Sequence, residues 1–312
     1  MKKEKISVAL IGCGYWGKKL FRVLLTHKDF SFHHCVDVSF KNSNDLKEKK
    51  DSIQYETNPK NIFFDSSIDA VIIATPFKTH YSLVKEALKS KKHVLVEKPM
   101  VENEKEAKEL ILLAKKEQKI IMVDHTFLFD DAILLMKKYI QSSAFGSFEA
   151  LYTIREQYGP FRKGESVIWD LGIHDVSIAR FFFGEEPISL SSQYNHLTGS
   201  DTSVSSQFHL QFSKNRYAFV RVSWIAPEKR RELIVIGTKA IIRYDQCRPD
   251  TLFWYTRDHA DLFKKEIIFS RKETLVSMLS HFASSISFKE EPRTNGKEGL
   301  AVIRILKKLD SL

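Results

Sequence analysis

The sequence predicts an α/β protein in two parts, a doubly wound parallel sheet followed by a region dominated by antiparallel strands. Three observations carry that expectation. An apolar run enters the glycine-rich turn Gly12-Cys13-Gly14-Tyr15-Trp16-Gly17 and leaves it as a helical pattern. Short apolar runs then alternate with helical periodicity as far as Val123, the rhythm of a parallel sheet with crossover helices. Beyond Asp124 the pattern changes to long stretches with period-two alternation, the signature of strands with one covered face. The chain has 312 residues and is 43% hydrophobic, and above roughly 250 residues a single core usually divides. The expected parts are 1–123 and 124–312.

Ile6 to Ile11 reads as the first strand and Lys18 to Thr26 as the first helix. Between them Gly12 permits a tight turn, Gly14 lets backbone approach a pyrophosphate, and Gly17 lets helix and strand pack closely. Tyr15 and Trp16 ride on the same loop. Ser31 to Val36 is a second strand that ends in Asp37, twenty residues beyond Gly17, where a carboxylate can accept both hydroxyls of an adenosine ribose. Asp37 therefore favours NAD over NADP, with Ser39 and Lys41 placed to soften that preference. Asp45 to Asp51, rich in Lys and Glu, reads as a surface helix. Ala70 to Ala74 is a third strand closed by Thr75-Pro76, and Tyr81 to Ser90 is a helix. His80 at its start either touches a cofactor or serves in capping and packing. Val94 to Val96 reads as a buried strand ended by Glu97, Lys98 and Pro99, since proline has no N–H for a ladder. Ligands bind at the carboxyl edge of such sheets. Lys98 delivered there beside Glu97 is a candidate acid or base, unless it is one more solvated lysine among the 49 Lys and Arg. A charged helix (Glu104 to Glu117) and a strand (Ile120 to Val123) complete the first part.

In the second part, a helix (Asp131 to Ile140) precedes strand candidates at Phe148 to Glu156, Ser189 to Tyr194, Ser203 to Phe212, Tyr217 to Ile225, Glu232 to Ile236, Ala240 to Tyr244 and Leu252 to Tyr255. Helices at Thr274 to Ser287 and Gly299 to Lys308 close the chain. One stretch stands apart, Ser166 to Gly184, with Trp169, Asp170 and His174. Asp170 and His174 are four apart and face one space if a helix starts near Gly172; the alternative is a capped helix with a buried histidine. Arg155, Arg162 and Lys163 precede it, either as ligands for an anionic substrate or as surface cations.

The formal net charge of +10 does not point to nucleic acid. Lys105, Lys108, Lys115 and Lys116 alternate with Glu102, Glu104, Glu106 and Glu109, a solvated helix face. The surplus suits anionic ligands. Cys13, Cys35 and Cys247 show no paired spacing, so neither a disulfide framework nor a metal site is expected, and a reducing cytoplasm fits. Val8 to Ile11 is too short for a signal peptide, and no segment is expected to span a membrane.

GCGYWG with Asp37, ATPFKTH (Ala74 to His80), EKP (Glu97 to Pro99), WDLGIHD (Trp169 to Asp175) and NGKEGL (Asn295 to Leu300), in that order, resemble the glucose-fructose oxidoreductase and inositol dehydrogenase superfamily, Gfo/Idh/MocA. The resemblance implies an N-terminal Rossmann domain and a C-terminal α/β domain with a large, open, mostly antiparallel sheet that commonly forms a homo-oligomer interface. It implies that Lys98 is catalytic, with Asp170 and His174 completing the site. Many members carry an arginine shortly after the position of His125, where this chain reads HTFLF; with GYWG and WDLGIHD this looks more like the branch acting on nucleotide-linked sugars. His125, Arg155, Arg162, Trp169, Asp170 and His174 are accordingly expected around the substrate. Gly12, Gly14, Tyr15, Trp16, Gly17, Asp37, Thr75, Pro76, His80, Glu97 and Lys98 are expected around the cofactor. The expected reaction is hydride transfer between nicotinamide and a sugar carbon, without a metal. A free sugar or inositol as substrate, and a non-catalytic dinucleotide-binding regulator, are the alternatives.

Overall fold

The computed structural model describes residues 4–41, 52–161, 166–196, 202–258 and 261–312. Arg162, Lys163, the Lys41 side chain and the helix expected at Asp45 to Asp51 lie outside the described residues. The chain forms two compact units, Met1–Thr126 with Thr274–Ile303, and Phe127–Glu273 with Arg304–Leu312.

In the first unit, β1 (Ile6–Ile11), α1 (Tyr15–Leu24), β2 (Phe30–Val36), β3 (Gln54–Glu56), α2 (Lys60–Phe64), β4 (Ala70–Ile73), α3 (His80–Lys89), β5 (His93–Glu97), α4 (Glu104–Lys116) and β6 (Ile121–Asp124) follow one another. Their sheet has the order β3-β2-β1-β4-β5-β6, and every pairing is parallel. This is the doubly wound order of dinucleotide-binding folds, with its switch point between β1 and β4. Helices cover both faces, which is why Ala70, Val71, Ile72 and Ile73 are all buried and why these strands read as unbroken apolar runs. α1 begins three residues before the expected Lys18, because the glycine turn is tight enough for Tyr15 and Trp16 to enter the helix. At α4, Asn103 caps the first turn by accepting from the Glu106 amide at 3.0 Å.

The second unit starts with α5 (Asp131–Ile140), capped by Asp130 through the Ala132 amide at 2.9 Å. Then come β7 (Phe148–Tyr158), a π-helical turn (Ile168–Gly172), α6 (Ile173–Phe183), β8 (Ser189–His196), β9 (Ser203–Phe212), β10 (Arg216–Ser223), β11 (Ile225–Gly237), β12 (Ala240–Asp245), β13 (Thr251–Asp258) and β14 (Asp261–Ile268). The described residues form an eight-stranded sheet, β14-β13-β12-β11-β7-β10-β9-β8. It is antiparallel except where β7 lies parallel to β10. β9 alternates as expected, with Val204, Phe208, Leu210 and Phe212 buried. Phe212 stacks on Phe183 of α6 with ring centroids 3.9 Å apart, so α6 covers this face.

The division of the chain differs from a single break at Asp124. α7 (Thr274–Phe288) and the start of α8 (Gly296–Asp310) return to the first unit. β6 is an edge strand, and an edge leaves backbone groups unpaired. The returning chain pairs them: Val123 donates its amide to Thr294 O at 2.7 Å, and Thr294 donates its hydroxyl to Val123 O at 2.6 Å. No helix among the described residues is long and apolar enough to cross a membrane.

Candidate active site

The glycine loop shows what it is shaped to hold. Gly12 has φ +96°, and a Cβ there would lie 2.5 Å from Ala74 O; one at Gly17 would lie 2.1 Å from Gly12 O. Both positions exclude a side chain, which brings α1 against the end of β1. Gly14 differs, since a Cβ there would meet no protein atom within 4 Å. That open space fronts the start of α1, where Gly14 brings no capping side chain and a helix N-terminus favours an anion. These residues fit a dinucleotide pyrophosphate. Tyr15 is 76% exposed, and Lys19 Nζ lies 4.4 Å and 4.7 Å from the Tyr15 and Trp16 ring centroids.

Asp37 follows β2 and is tied to the same loop. Its carboxylate accepts from the Cys13 amide at 2.6 Å, and from the Ser39 amide and hydroxyl at 2.9 and 2.6 Å. Burial alone would raise this carboxyl, but the bonds from Ser39 and Cys13 outweigh it and hold its pKa below the usual carboxylate range. Asp37 is thus held ionised. Cys13 and Cys35, widely spaced in sequence, lie side by side beneath it as free buried thiols.

Two strand endings share the carboxyl edge. At β4, the Thr75 hydroxyl meets that of Thr79 at 2.7 Å, and Pro76 is exposed. At β5, half-buried Glu97, Lys98 and Pro99 follow. His80 ties the two endings together: Nδ1 lies 2.8 Å from Pro99 O and Nε2 2.9 Å from Thr75 O. Burial pushes its pKa down against these backbone bonds, which agrees with the packing alternative for His80. A neutral ring donates to only one of the two carbonyls.

Asp124 enters the sequence reading only as a boundary, yet it is a buried, hydrogen-bonded acid at this edge. It is 2% exposed, accepts from Trp16 Nε1 at 2.7 Å and from the Thr126 hydroxyl, and stands beside Glu97 at the paired ends of β6 and β5. Burial raises both carboxyls; the charge of Asp124 lifts Glu97 further, well above the usual range, while Lys98 opposes. One sequence signal points to the pair, namely that neighbouring apolar strands both end in an acid. The adjacent His125 is 2% exposed.

In the second unit, Asp170 and His174 flank the junction of the π-helical turn and α6. Gly172 sits between them, where a Cβ would press on Phe208 at 3.2 Å. Buried Asp170 accepts from Trp224 Nε1 at 3.2 Å. The half-buried His174 ring meets Phe127 edge-on, with centroids 4.8 Å apart. Phe127 carries the Arg155 guanidinium on its ring at 4.5 Å. Arg155 itself differs from its expected part as a substrate ligand. It is 1% exposed and donates to both Asp175 oxygens, at 2.9 and 3.3 Å, and to Gln246 at 3.2 Å. This buried bidentate pair fixes the first turn of α6, beside His174, and leaves no guanidinium face for a substrate phosphate. Trp169 donates its Nε1 to Asp310, so its polar edge is also taken.

The chain is similar to known proteins over nearly its full length. The oxidoreductase YrbE of Bacillus subtilis, itself uncharacterized, is 25% identical over 97% of this chain and 92% of that one. A myo-inositol 2-dehydrogenase of Thermotoga maritima is 23% identical over 94% of this chain and 92% of that one. A UDP-N-acetylglucosamine 3-dehydrogenase of Acidithiobacillus ferrooxidans is 30% identical over 40% of this chain and 39% of that one. Its solved structure, at 19% identity, shares the fold with a TM-score of 0.88 over 99% of this chain and 98% of that one. Residues 6–125, which hold the glycine loop, Asp37 and the two strand endings, match the oxidoreductase family with NAD-binding Rossmann fold, and residues 133–243 match the GFO/IDH/MocA C-terminal domain. With both halves matched in tandem, the chain belongs to the Gfo/Idh/MocA family of NAD-binding oxidoreductases.

Proposed function

We propose that the protein moves a hydride reversibly between nicotinamide and a hydroxyl-bearing ring carbon of a sugar, with a nucleotide-linked or otherwise anionic sugar as substrate. The observation that carries this reading is Lys98, which follows β5 at the same carboxyl edge of the parallel sheet as the glycine loop after β1. When bound, the nicotinamide supplies the hydride acceptor or donor. Lys98 and His174 handle the proton of the reacting hydroxyl, and Asp170 orients the substrate or His174. Gly12, Gly14 and Gly17 hold the dinucleotide, and Asp37 takes its ribose.

One observation favours a second substrate class. The inositol dehydrogenase matches along nearly the whole chain, and Arg155 is committed to Asp175, which removes one of three cations proposed for an anionic group. A free sugar or inositol is therefore the second reading. Incubation with NAD⁺ and a panel of free, phosphorylated and nucleotide-linked sugars and inositols, followed by absorbance of reduced nicotinamide, separates the two. NADH with the matching keto sugars tests the reverse direction. Binding of NAD⁺ without turnover of any compound would leave a dinucleotide-binding regulator. The family likeness further suggests homo-oligomers formed through the second sheet, which sedimentation tests.

A further inference from the structure

β5 and β6 run in register, so Glu97 pairs with Asp124 at the last position of each strand. Neighbouring positions in register put the two carboxyls side by side, and each acts on the other's ionisation. Two carboxyl groups in such contact are bridged by one proton. The surroundings fix where it resides. Trp16 Nε1 and the Thr126 hydroxyl both donate to Asp124, which favours its ionised form, so Glu97 is the acid and donates to Asp124. Two charged groups act on Glu97, Asp124 from β6 and Lys98 from its own strand ending; Trp16 of α1 and Thr126 after β6 bear on Asp124. With Glu97 neutral, the charges of Asp124 and Lys98 cancel.

We propose that Glu97 and Asp124 form a charge-compensating pair that holds its proton while the ring docked at this edge is neutral and releases it when that ring is cationic. The proposal rests on the reading of this edge as the nicotinamide site. A positive charge placed beside the pair favours ionised Glu97. The O–H bond of Glu97 breaks, the proton passes to solvent, and two carboxylates then face Lys98 and the cation. A reduced, neutral ring brings no such charge, so the proton stays. Because binding of the oxidised form releases a proton, its affinity rises with pH, whereas that of the reduced form does not. Asp124, through Trp16, also ties the pair to the loop that receives the pyrophosphate.

Calorimetric titration of the full chain with NAD⁺ and, separately, NADH at pH 7 tests this in buffers of different ionisation enthalpy. The NAD⁺ heats are expected to track the buffer, giving release of up to about one proton, and the NADH heats are not. Glu97→Gln keeps a donor to Asp124 but has no proton to lose, so the release disappears and NAD⁺ weakens about tenfold relative to NADH. Infrared difference spectra of the wild type give a reading that needs no variant: a protonated carboxyl band present with NADH and lost with NAD⁺. Saturable NAD⁺ binding with buffer-independent heats, an unchanged carboxyl band, or the same release in folded Glu97→Gln would overturn the pair's role while leaving the dinucleotide site standing. Failure to bind either dinucleotide would overturn both.

Discussion

Asp37 does two things at once. Its carboxylate organises the glycine loop through the Cys13 amide, and in the proposed function its charge faces a ribose. Asp37→Ser removes both, and a charge-assisted hydrogen bond is worth about 1.5 to 3 kcal/mol. NAD affinity should fall about 10- to 100-fold while the ratio of NADP to NAD binding rises; a wild type that already prefers NADP in a competition titration would refute the assignment. Lys98 is tested differently, because its proposed part is in chemistry and not in binding. Lys98→Met keeps bulk and removes the donor, so single-turnover hydride transfer should drop by about 10² to 10⁴ with dinucleotide affinity little changed. An unchanged single-turnover rate in the folded variant would return Lys98 to the surface lysines. Residues such as these were readable because each motif lies within a few positions of a strand end. Asp124 offered only its place at a strand end, since its partner Trp16 is 108 residues away and only the sheet brings them together.

At the scale of one strand, β5 carries a second titrating feature at its opposite end. His93 Nδ1 accepts from the Ile120 amide at 3.1 Å, a bond that a protonated ring cannot make. Burial, and then the charge of Lys119, push its pKa down to about 4. The fold thus prefers neutral His93, while the unfolded chain protonates near 6.5. Stability from this group is fully present above about pH 6.5, is lost as pH falls toward about 4, and changes no further below; the whole effect is at most about 3 kcal/mol. Urea unfolding at pH 7 and 4.5 should show this loss in the wild type and a smaller one in His93→Gln, whose amide oxygen still accepts from Ile120. Equal losses would show that His93 is not the titrating group. Element by element, strands covered on both faces were legible because burial leaves continuous apolar runs. β3 and α2 were too short to show a period. β14 sits at the sheet edge with nearly all its side chains outside the core, so its DLFKKEII needed no alternation to be a strand. The π-helical turn before α6 left no mark on the spacing of Asp170 and His174.

For the molecule as a whole, every residue of the expected dinucleotide site falls between Gly12 and Lys98, which suggests a first unit sufficient in itself. Its packing shows otherwise. α7 buries Leu275, Met278, Leu279, Phe282 and Ala283 in the first unit, with Phe282 6.3 Å from the Phe30 ring of β2, and Thr294 closes the edge of β6. No local pattern in residues 274–303 announces that destination, because an amphipathic helix states that it has a buried face and not which sheet covers it. Burial of a large apolar side chain contributes about 1.5 to 3 kcal/mol, so losing four of them removes on the order of 10 kcal/mol, as much as the usual net stability of a domain. A chain ended at Glu273 should therefore lose cooperative thermal unfolding and dinucleotide binding together, although Gly12, Gly14, Gly17, Asp37 and Lys98 all remain. Circular dichroism melting beside a calorimetric NAD⁺ titration checks both. If the shortened chain binds NAD⁺ with wild-type affinity, the dinucleotide site does not depend on the returning helices, and the first unit ends where β6 does.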